Sequence, residues 1–476
     1  MIDVALAPGL AMLILTIFGL LWIAAGYLLG RKNKTLDDHM LAGRNVGLAF
    51  ASATAMATWV TSNTTMTAPQ LTYQLGIWGM VGYSLGAIGL ILFAPLAGRI
   101  KKLLPHGFTS GDFIRERYGN LAWRVFLIIS LFYAFGWLIS LGMAGGILVN
   151  ALSGLNYHLG MSVILLVCVS YTLLGGLRAV IATDFAQTII ILLGVISIAF
   201  LVIDNIGFET LHNNLQQDNP MLLSLLFPAA IMFLFNNLLF GVGEIFHSNV
   251  WWSRAFAFRK NTGTKAYLIG GLLWLPIPIV AGFIALAAPS LGLLVPSADM
   301  VGPMVAGQIL GTTGAVIVFI VIFSALASSL DSLLAATSDL ITQDIYRGHI
   351  NKAATDERCF RISKYIIVGL GLFTWLLCLP RLTTLASLLY FTGAFVASAI
   401  WPIVFGLYFR WASGLAAALA MSAGTVVGLI AYFQIGYYVA ALVSCAVSLL
   451  LIVTVSMLTR SDFTFEKLTK KKEVLS

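Results

Sequence analysis

Charge is the scarcest feature of this sequence. Only 10% of its 476 residues are Asp, Glu, Lys or Arg, whereas soluble domains carry about 25%. Apolar residues instead make up 59% of the chain. This balance excludes an ordinary soluble domain and predicts a multi-pass protein of a cell membrane, with the lipid bilayer as its surroundings.

Cysteine and histidine are also rare. The six histidines lie mostly in loops without metal-ligand spacing, and no pairing of a nucleophile with a base is evident, so we expect no enzyme. The four cysteines contain no CxxC pair and three lie inside apolar runs, which indicates packing residues and neither a zinc site nor a disulfide framework. They are Cys168, Cys359, Cys378 and Cys445.

The net charge of +8 comes from basic residues in short loops between apolar runs. That distribution is typical of a protein oriented in a bilayer, so we expect no nucleic-acid partner.

Thirteen apolar runs are long enough to cross a bilayer, which takes about 20 residues in a helix. The first run follows an acidic leader with Asp3 and is too long for a signal-peptide core, so we expect it to stay as a spanning helix. The sequence therefore predicts an all-α fold of about thirteen transmembrane helices. The runs cover residues 8–30, 46–68, 74–98, 121–152, 157–175, 179–204, 220–252, 265–288, 306–345, 360–379, 382–409, 411–432 and 436–459.

Basic residues are distributed very unevenly between the loops on the two sides of such a helix bundle. With thirteen runs, 26 of the 27 Lys and Arg residues fall on one side, and only Arg381 falls on the other. Because basic loops stay in the cytoplasm, this predicts an external N-terminus and a cytoplasmic C-terminus.

Two runs carry polar or glycine interruptions and lie five helices apart. The run 46–68 contains the polar stretch 61–65, and the run 220–252 contains glycines. This spacing predicts two inverted five-helix repeats with broken first helices around a midplane site. We expect the repeats at 46–204 and 220–409. The remainder is a peripheral first helix (8–30), two C-terminal helices (411–459) and a cytoplasmic tail (460–476).

Asp331 lies deep inside an apolar run, where a carboxylate costs roughly 3 kcal/mol unless it is compensated. No Lys or Arg is expected in any apolar core, so a salt bridge is not foreseen. Ser328, Asp331 and Ser332 share one helical face, with Ser329 beside them, and such oxygens suit a small alkali cation. The alternative is a protonated Asp331 bonded to neighbouring hydroxyls.

Two further acids lie at membrane depth. Asp184 is either part of a site or paired with Arg178 at the interface. Glu244 follows two glycines that should loosen the helix, which indicates a cavity-lining group, although a loop-facing acid is the alternative. Three tryptophans are candidates for either the cavity or the interfacial belt: Trp59, Trp251 and Trp252.

Several motifs resemble signatures of the sodium/solute symporter family, in that family's order and spacing. The resemblance implies a LeuT-like inverted-repeat fold and sodium-driven uptake of a small solute. The matching stretches are residues 110–119 (SGDFIRERYG), 175–184 (GGLRAVIATD), 328–332 (SSLDS), 342–346 (TQDIY) and 401–408 (WPIVFGLY).

The resemblance also implies ligands for Na⁺. Five residues match one sodium site, through carbonyls in the first broken helix and through a carbonyl and two hydroxyls in a later one: Ala57, Val60, Ala325, Ser328 and Ser329. A second sodium site, found in some members of the family, would use Asp184, Ser328, Asp331 and Ser332.

The solute is predicted to be a small polar organic molecule bound by Trp59, Asn63 and Glu244. Residues 57–59, 73–79 and 252–255 resemble the urea-type branch of the family. The alternatives are a proton-coupled transporter of a cationic solute such as a polyamine, which Glu244 would attract, and a channel.

Overall fold

The computed structural model describes residues 5–31, 33, 35–226 and 228–469. This part of the chain is almost entirely helical, and its one isolated β-bridge joins Val46 to Phe258. Asp3 and residues 470–476 of the predicted tail lie outside the described residues. The helices are α1 (Pro8–Gly30), α2 (Leu36–Leu41), α3 (Leu48–Trp59), α4 (Ser62–Leu75), α5 (Ile77–Ser84), α6 (Ala87–Leu103), α7 (Ser110–Tyr118), α8 (Asn120–Ser153), α9 (Tyr157–Ile206), α10 (Phe208–Asp218), α11 (Pro228–His247), α12 (Asn249–Ala257), α13 (Gly263–Trp274), α14 (Pro276–Ala285), α15 (Val301–Leu340), α16 (Asp356–Cys378), α17 (Leu385–Phe391), α18 (Gly393–Tyr408), α19 (Gly414–Gln434), α20 (Ala440–Leu458) and α21 (Glu466–Thr469).

Eleven helical stretches in the described residues are long and apolar enough to cross a membrane. They correspond to twelve of the thirteen predicted runs, and the thirteenth is the run 46–68. Helix α9 contains two of the runs, joined at Gly176, whose φ of 58° interrupts the helix. The run 46–68 is not one continuous helix, because it is divided into α3 and α4. The predicted all-helical membrane fold is thus confirmed.

The first interruption lies between Trp59 and Thr61, and hydroxyl side chains of the polar stretch 61–65 stabilise it by hydrogen bonds to the backbone. Thr61 and Thr64 form a capping box at the start of α4, in which each hydroxyl accepts a hydrogen bond from the other residue's backbone N–H. The Thr64 hydroxyl also donates to the Trp59 carbonyl at 3.1 Å. Side chains therefore satisfy backbone groups that a continuous helix would pair internally.

The second interruption lies at Ser248, between α11 and α12. Its hydroxyl accepts a hydrogen bond from the N–H of Val250 at 3.4 Å. We expected Gly241 and Gly243 to loosen the helix, and this was wrong, because both lie inside α11. A Cβ on Gly241 would lie 2.8 Å from Gly86, and one on Gly243 would lie 2.8 Å from the Val396 backbone. These glycines instead allow helices to approach closely.

Helix α15 occupies the centre of the molecule and packs against α9, α8 and α4. Its residues from Val321 to Leu340 are all buried. Helix α1 packs mainly on α9, with Gly26 and Gly30 against Tyr171 and Leu174. Polar side chains on α15 therefore face protein, and the interrupted helix α3–α4 lies beside them.

Candidate ion and solute site

Two serines of α15 face the end of α3. The Ser328 hydroxyl donates to the carbonyls of Ala57, at 2.9 Å, and Ala325, at 3.1 Å. The Ser329 hydroxyl donates to the carbonyls of Ala325, at 3.1 Å, and Val60, at 3.5 Å. All five residues of the first predicted sodium site therefore lie together, and none is more than 4% exposed.

The interruption after α3 explains why carbonyls are free at this position. The last carbonyls of a helix have no partner within it, and Thr58 supplies a further one, which accepts from Ser329 at 3.0 Å. Hydroxyl and carbonyl oxygens are hard, neutral ligands, and each hydroxyl retains lone pairs when it donates its hydrogen. The donor set fits a small alkali cation, which both α3 and α15 would hold.

Arg254 lies in the protein interior, next to the predicted second sodium site. The expectation that no basic residue enters an apolar core was wrong. Both Arg254 and Asp184 are fully buried, and Nη2 of Arg254 lies 3.3 Å from Oδ2 of Asp184. Nη2 also donates to the Ser332 hydroxyl at 2.6 Å. Asp184 is not paired with Arg178, which instead pairs with Asp38 at 2.6 Å.

Asp331 is fully buried, and in the described part of the chain neither of its carboxylate oxygens has a hydrogen-bond partner. The neighbouring hydroxyls are used elsewhere. Ser332 donates to the Ser328 carbonyl at 2.6 Å, and the Ser328 hydroxyl donates to carbonyls. The alternative in which these hydroxyls bond Asp331 is therefore not the arrangement observed.

An aromatic cavity begins where α3 ends. Trp59 stacks on Trp137 with ring centroids 6.0 Å apart, and its ring lies 5.6 Å from that of Trp274. The enclosed volume is about 10 Å³, which is about the room that one water needs. The lining residues are Trp59, Thr61, Tyr83, Gly86, Trp137, Asn237, Phe240, Gly241 and Trp274.

Of the three residues predicted to bind solute, Trp59 lines this cavity, whereas Asn63 and Glu244 are not among its lining residues. Glu244 accepts hydrogen bonds from the Tyr133 hydroxyl and from Nε1 of Trp251, the latter at 2.9 Å. Asn63 accepts from the Ser140 hydroxyl at 2.9 Å, and its Nδ2 has no partner among the described residues.

Trp251 forms the contact between Glu244 and the cavity wall. Its ring lies 5.7 Å from that of Trp59, edge to face. Trp251 and Trp252 are both at most 1% exposed, so the interfacial-belt alternative was wrong for them. Glu244 is therefore linked to the cavity wall through the Trp251 indole, which donates a hydrogen bond to it.

Sequence reasoning did not identify most of the cavity wall. Trp137 lies in the uninterrupted apolar helix α8, and Trp274 lies at the end of α13. No polar signal marks either position. In the described residues the indole nitrogen of Trp137 has no hydrogen-bond partner, whereas that of Trp274 donates to the Trp59 carbonyl at 2.6 Å.

Two interrupted helices around buried oxygens and an enclosed aromatic cavity define a membrane transporter. Residues 39–424 match the model of the sodium:solute symporter family, and the chain belongs to that family. The family that matches is one of transporters, as the sequence predicted.

Known proteins resemble the chain in both sequence and fold. It is 27% identical over 454 residues to the urea-proton symporter DUR3 of Oryza sativa subsp. japonica, a match that covers 87% of this chain and 63% of the relative. The chain thus spans less than two thirds of that relative's length. It is 26% identical to the osmoregulated proline transporter OpuE of Bacillus subtilis (strain 168), with 87% of each chain covered.

A solved Na⁺-coupled sialic acid symporter in a substrate-bound outward-open state has the same fold, with a TM-score of 0.79 at 17% identity, covering 95% of this chain and 99% of that one. The fold is the LeuT fold, as the sequence predicted.

Proposed function

We propose that the protein is a sodium-coupled symporter that takes up urea, or a similarly small planar amide, by alternating access. The observation that carries the sodium assignment is that Ser328 and Ser329 meet the carbonyls of Ala57 and Val60 at the interruption after α3, together with the Ala325 carbonyl of their own helix. The site would hold one Na⁺ through Ala57, Val60, Ala325, Ser328 and Ser329.

The size of the cavity supports a very small solute. A volume of about 10 Å³ has room for about one water, so the cavity must widen for any solute, and urea needs less widening than proline or a polyamine. The relative from rice is named a urea-proton symporter. Nε1 of Trp137, which has no partner among the described residues, could donate to the oxygen of such a solute, and the aromatic faces suit its flat, weakly polar surface.

A cationic solute finds less support. Both carboxylate oxygens of Glu244 already accept hydrogen bonds, from Tyr133 and Trp251. The residue is also absent from the cavity lining. A polyamine would have to displace Trp251 to reach it.

Ion and solute would be coupled through adjacent residues of one interruption. The Val60 carbonyl accepts from Ser329, and Trp59, the residue before it, lines the cavity. A cation bound by the Val60 carbonyl would draw this residue towards α15. The neighbouring Trp59 ring, which lines the cavity, would move with it. Binding of either partner would then tighten binding of the other by the same factor.

A proton is the second candidate for the coupling ion. Two observations favour it: the rice relative is named a proton symporter, and the buried Asp331 has no hydrogen-bond partner in the described chain. A neutral carboxyl group is more easily accommodated at such a position than an unpaired carboxylate. Solute uptake would then respond to pH and not to sodium.

The remaining parts of the proposal concern the arrangement in the cell. We place the protein in the plasma or inner membrane with the N-terminus outside. The repeats are 46–204 and 220–409, flanked by the peripheral helix 8–30 and by the C-terminal helices 411–459. The second sodium site is left out, because the Arg254 guanidinium lies among its oxygens.

A thermal-shift screen of the purified protein tests the proposal. Urea, proline and a polyamine are each added in sodium chloride and in choline chloride at constant ionic strength. We expect urea to raise the unfolding temperature, and to do so more strongly in sodium. Equal stabilisation in sodium and choline would contradict sodium coupling, and stabilisation by proline or the polyamine alone would contradict the proposed solute.

A further inference from the structure

Every nitrogen of the Arg254 guanidinium donates a hydrogen bond. Nε donates to the Thr54 hydroxyl at 3.0 Å, and Nη1 donates to the Val250 carbonyl at 3.1 Å. Nη2 donates to the hydroxyls of Thr58, at 2.7 Å, and Ser332, at 2.6 Å. Because the side chain is fully buried, these contacts take the place of hydrogen bonds to water.

The oxygens around Nη2 form a set that a small cation would also accept. The Thr58 and Ser332 hydroxyls and Oδ2 of Asp184 all lie within 3.3 Å of this one nitrogen. They come from α3, α15 and α9, so three helices converge on a single positive charge. Hydroxyl and carboxylate oxygens in such an arrangement are ligands for hard cations.

The charges of the cluster favour a resident cation. Asp184 and Asp331 are both fully buried, and an unpaired carboxylate at membrane depth is expensive. The guanidinium balances Asp184 through the contact at 3.3 Å and through Thr54, whose hydroxyl donates to Asp184 at 2.6 Å. A mobile Na⁺ entering the same oxygens would meet a fixed positive charge within about 3 Å, a strong repulsion in a dry interior.

We infer that Arg254 is a tethered cation that permanently fills this oxygen cluster, so that the protein binds a single mobile Na⁺. The inference rests on the proposed function, in which that ion is held by Ser328 and Ser329.

Thr58 connects the tethered charge to the mobile ion. Its hydroxyl accepts from Arg254, and its carbonyl accepts from Ser329 at 3.0 Å. Arg254 lies on α12, just after the second interruption, whereas Thr58 lies just before the first one. The guanidinium therefore joins the two interrupted helices and positions one wall of the sodium site.

Counting bound ions tests this inference without any knowledge of the solute. Full-length protein in detergent is saturated with radioactive ²²Na⁺, and the ions bound per protein are measured by scintillation proximity. We expect one ion for the wild type and for Arg254→Lys, which keeps the charge. In Arg254→Ala the vacated oxygens should accept a second ion, and Arg254→Ala combined with Asp184→Asn should return the count to one.

The count separates the inference from the proposed function. Two ions in the wild type would overturn the tethered cation and leave sodium coupling intact. No bound sodium in the wild type would overturn both. A folded, monodisperse Arg254→Ala protein that still binds one ion would also overturn the inference. If Arg254→Ala does not fold, the number of ions bound by the wild-type protein still tests the inference.

Discussion

Nη2 of Arg254 donates a hydrogen bond of 3.3 Å to Oδ2 of Asp184, and neither side chain is exposed. Removing one partner of a buried ion pair leaves the other charge uncompensated and typically costs about 3–5 kcal/mol. We therefore expect Asp184→Asn to lower the thermal unfolding temperature strongly in detergent. The double variant Asp184→Asn/Arg254→Gln should lose less than the sum of the two single variants.

Asp356→Asn is the matched control for this pair. Asp356 pairs with Arg347 at 2.9 Å, but its side chain is 68% exposed, and exposed pairs contribute about 0–1 kcal/mol. The unfolding temperature of Asp356→Asn should stay close to that of the wild type. Fully additive effects of Asp184→Asn and Arg254→Gln would show that the two buried side chains do not interact.

The proposed sodium site can be tested by substituting its two serines, because its carbonyl ligands cannot be removed by substitution. Loss of one buried polar partner costs about 1–3 kcal/mol, which is roughly a tenfold to hundredfold loss of affinity. We expect Ser329→Ala to raise the half-saturating sodium concentration by that factor, measured by ²²Na⁺ binding. Ser328→Ala should have a similar effect.

Ser338→Ala is the control on the same helix. The Ser338 hydroxyl is also buried and donates to the Ser363 carbonyl at 2.8 Å, away from the five proposed ligands. Its loss should leave sodium affinity unchanged. If both Ser328→Ala and Ser329→Ala fold and keep wild-type sodium dependence, the ion binds elsewhere, and Asp331 becomes the next candidate.

Substitution of Trp137 tests whether the cavity binds the solute through this indole nitrogen. Trp137→Phe keeps a flat ring beside Trp59 but removes the Nε1–H, which has no partner in the described part of the chain. If this donor binds the solute, urea affinity should fall by roughly tenfold or more, with sodium affinity affected only through coupling. Trp22→Phe is the control, since Trp22 is a buried indole on α1 that also lacks a partner among the described residues. Equal urea affinity in wild type and Trp137→Phe would remove the donor from the solute site.

The topology can be tested by reporter fusions at two positions. A fusion after Asn219 should be external, and one after Lys472, which lies outside the described residues, should be cytoplasmic. The reason is the placement of 26 of the 27 basic residues on one side of the membrane. Accessibility of both reporters from the same side would contradict the thirteen-span topology.

The helical membrane fold and its first interruption could be predicted from the sequence, because long apolar runs favour membrane-spanning helices and polar residues within such a run favour an interruption. Sequence reasoning misplaced Arg254 because the residue follows two tryptophans and precedes further basic residues, as in a cytoplasmic loop. The residue that compensates this charge, Asp184, lies 70 positions away in the chain. Hydropathy contains no information on such a long-range pairing.

The aromatic cavity was even less predictable. Trp137 and Tyr133 lie in one uninterrupted apolar helix, and only the packing of α8 against other helices brings them to Trp59 and Glu244. Glu244 was recognisable as a buried acid, but its role depends on the Trp251 indole that it holds. That relationship depends on the turn at Ser248, and a single serine does not locate such a turn within an apolar run.

Uptake into proteoliposomes tests the central claim of sodium coupling most directly. Labelled urea uptake is measured with equal pH on both sides and the membrane potential clamped at zero, under an inward gradient of either sodium or choline. We predict accumulation above equilibrium with sodium and only equilibration with choline. Accumulation driven by an inward proton gradient in the complete absence of sodium would contradict the account.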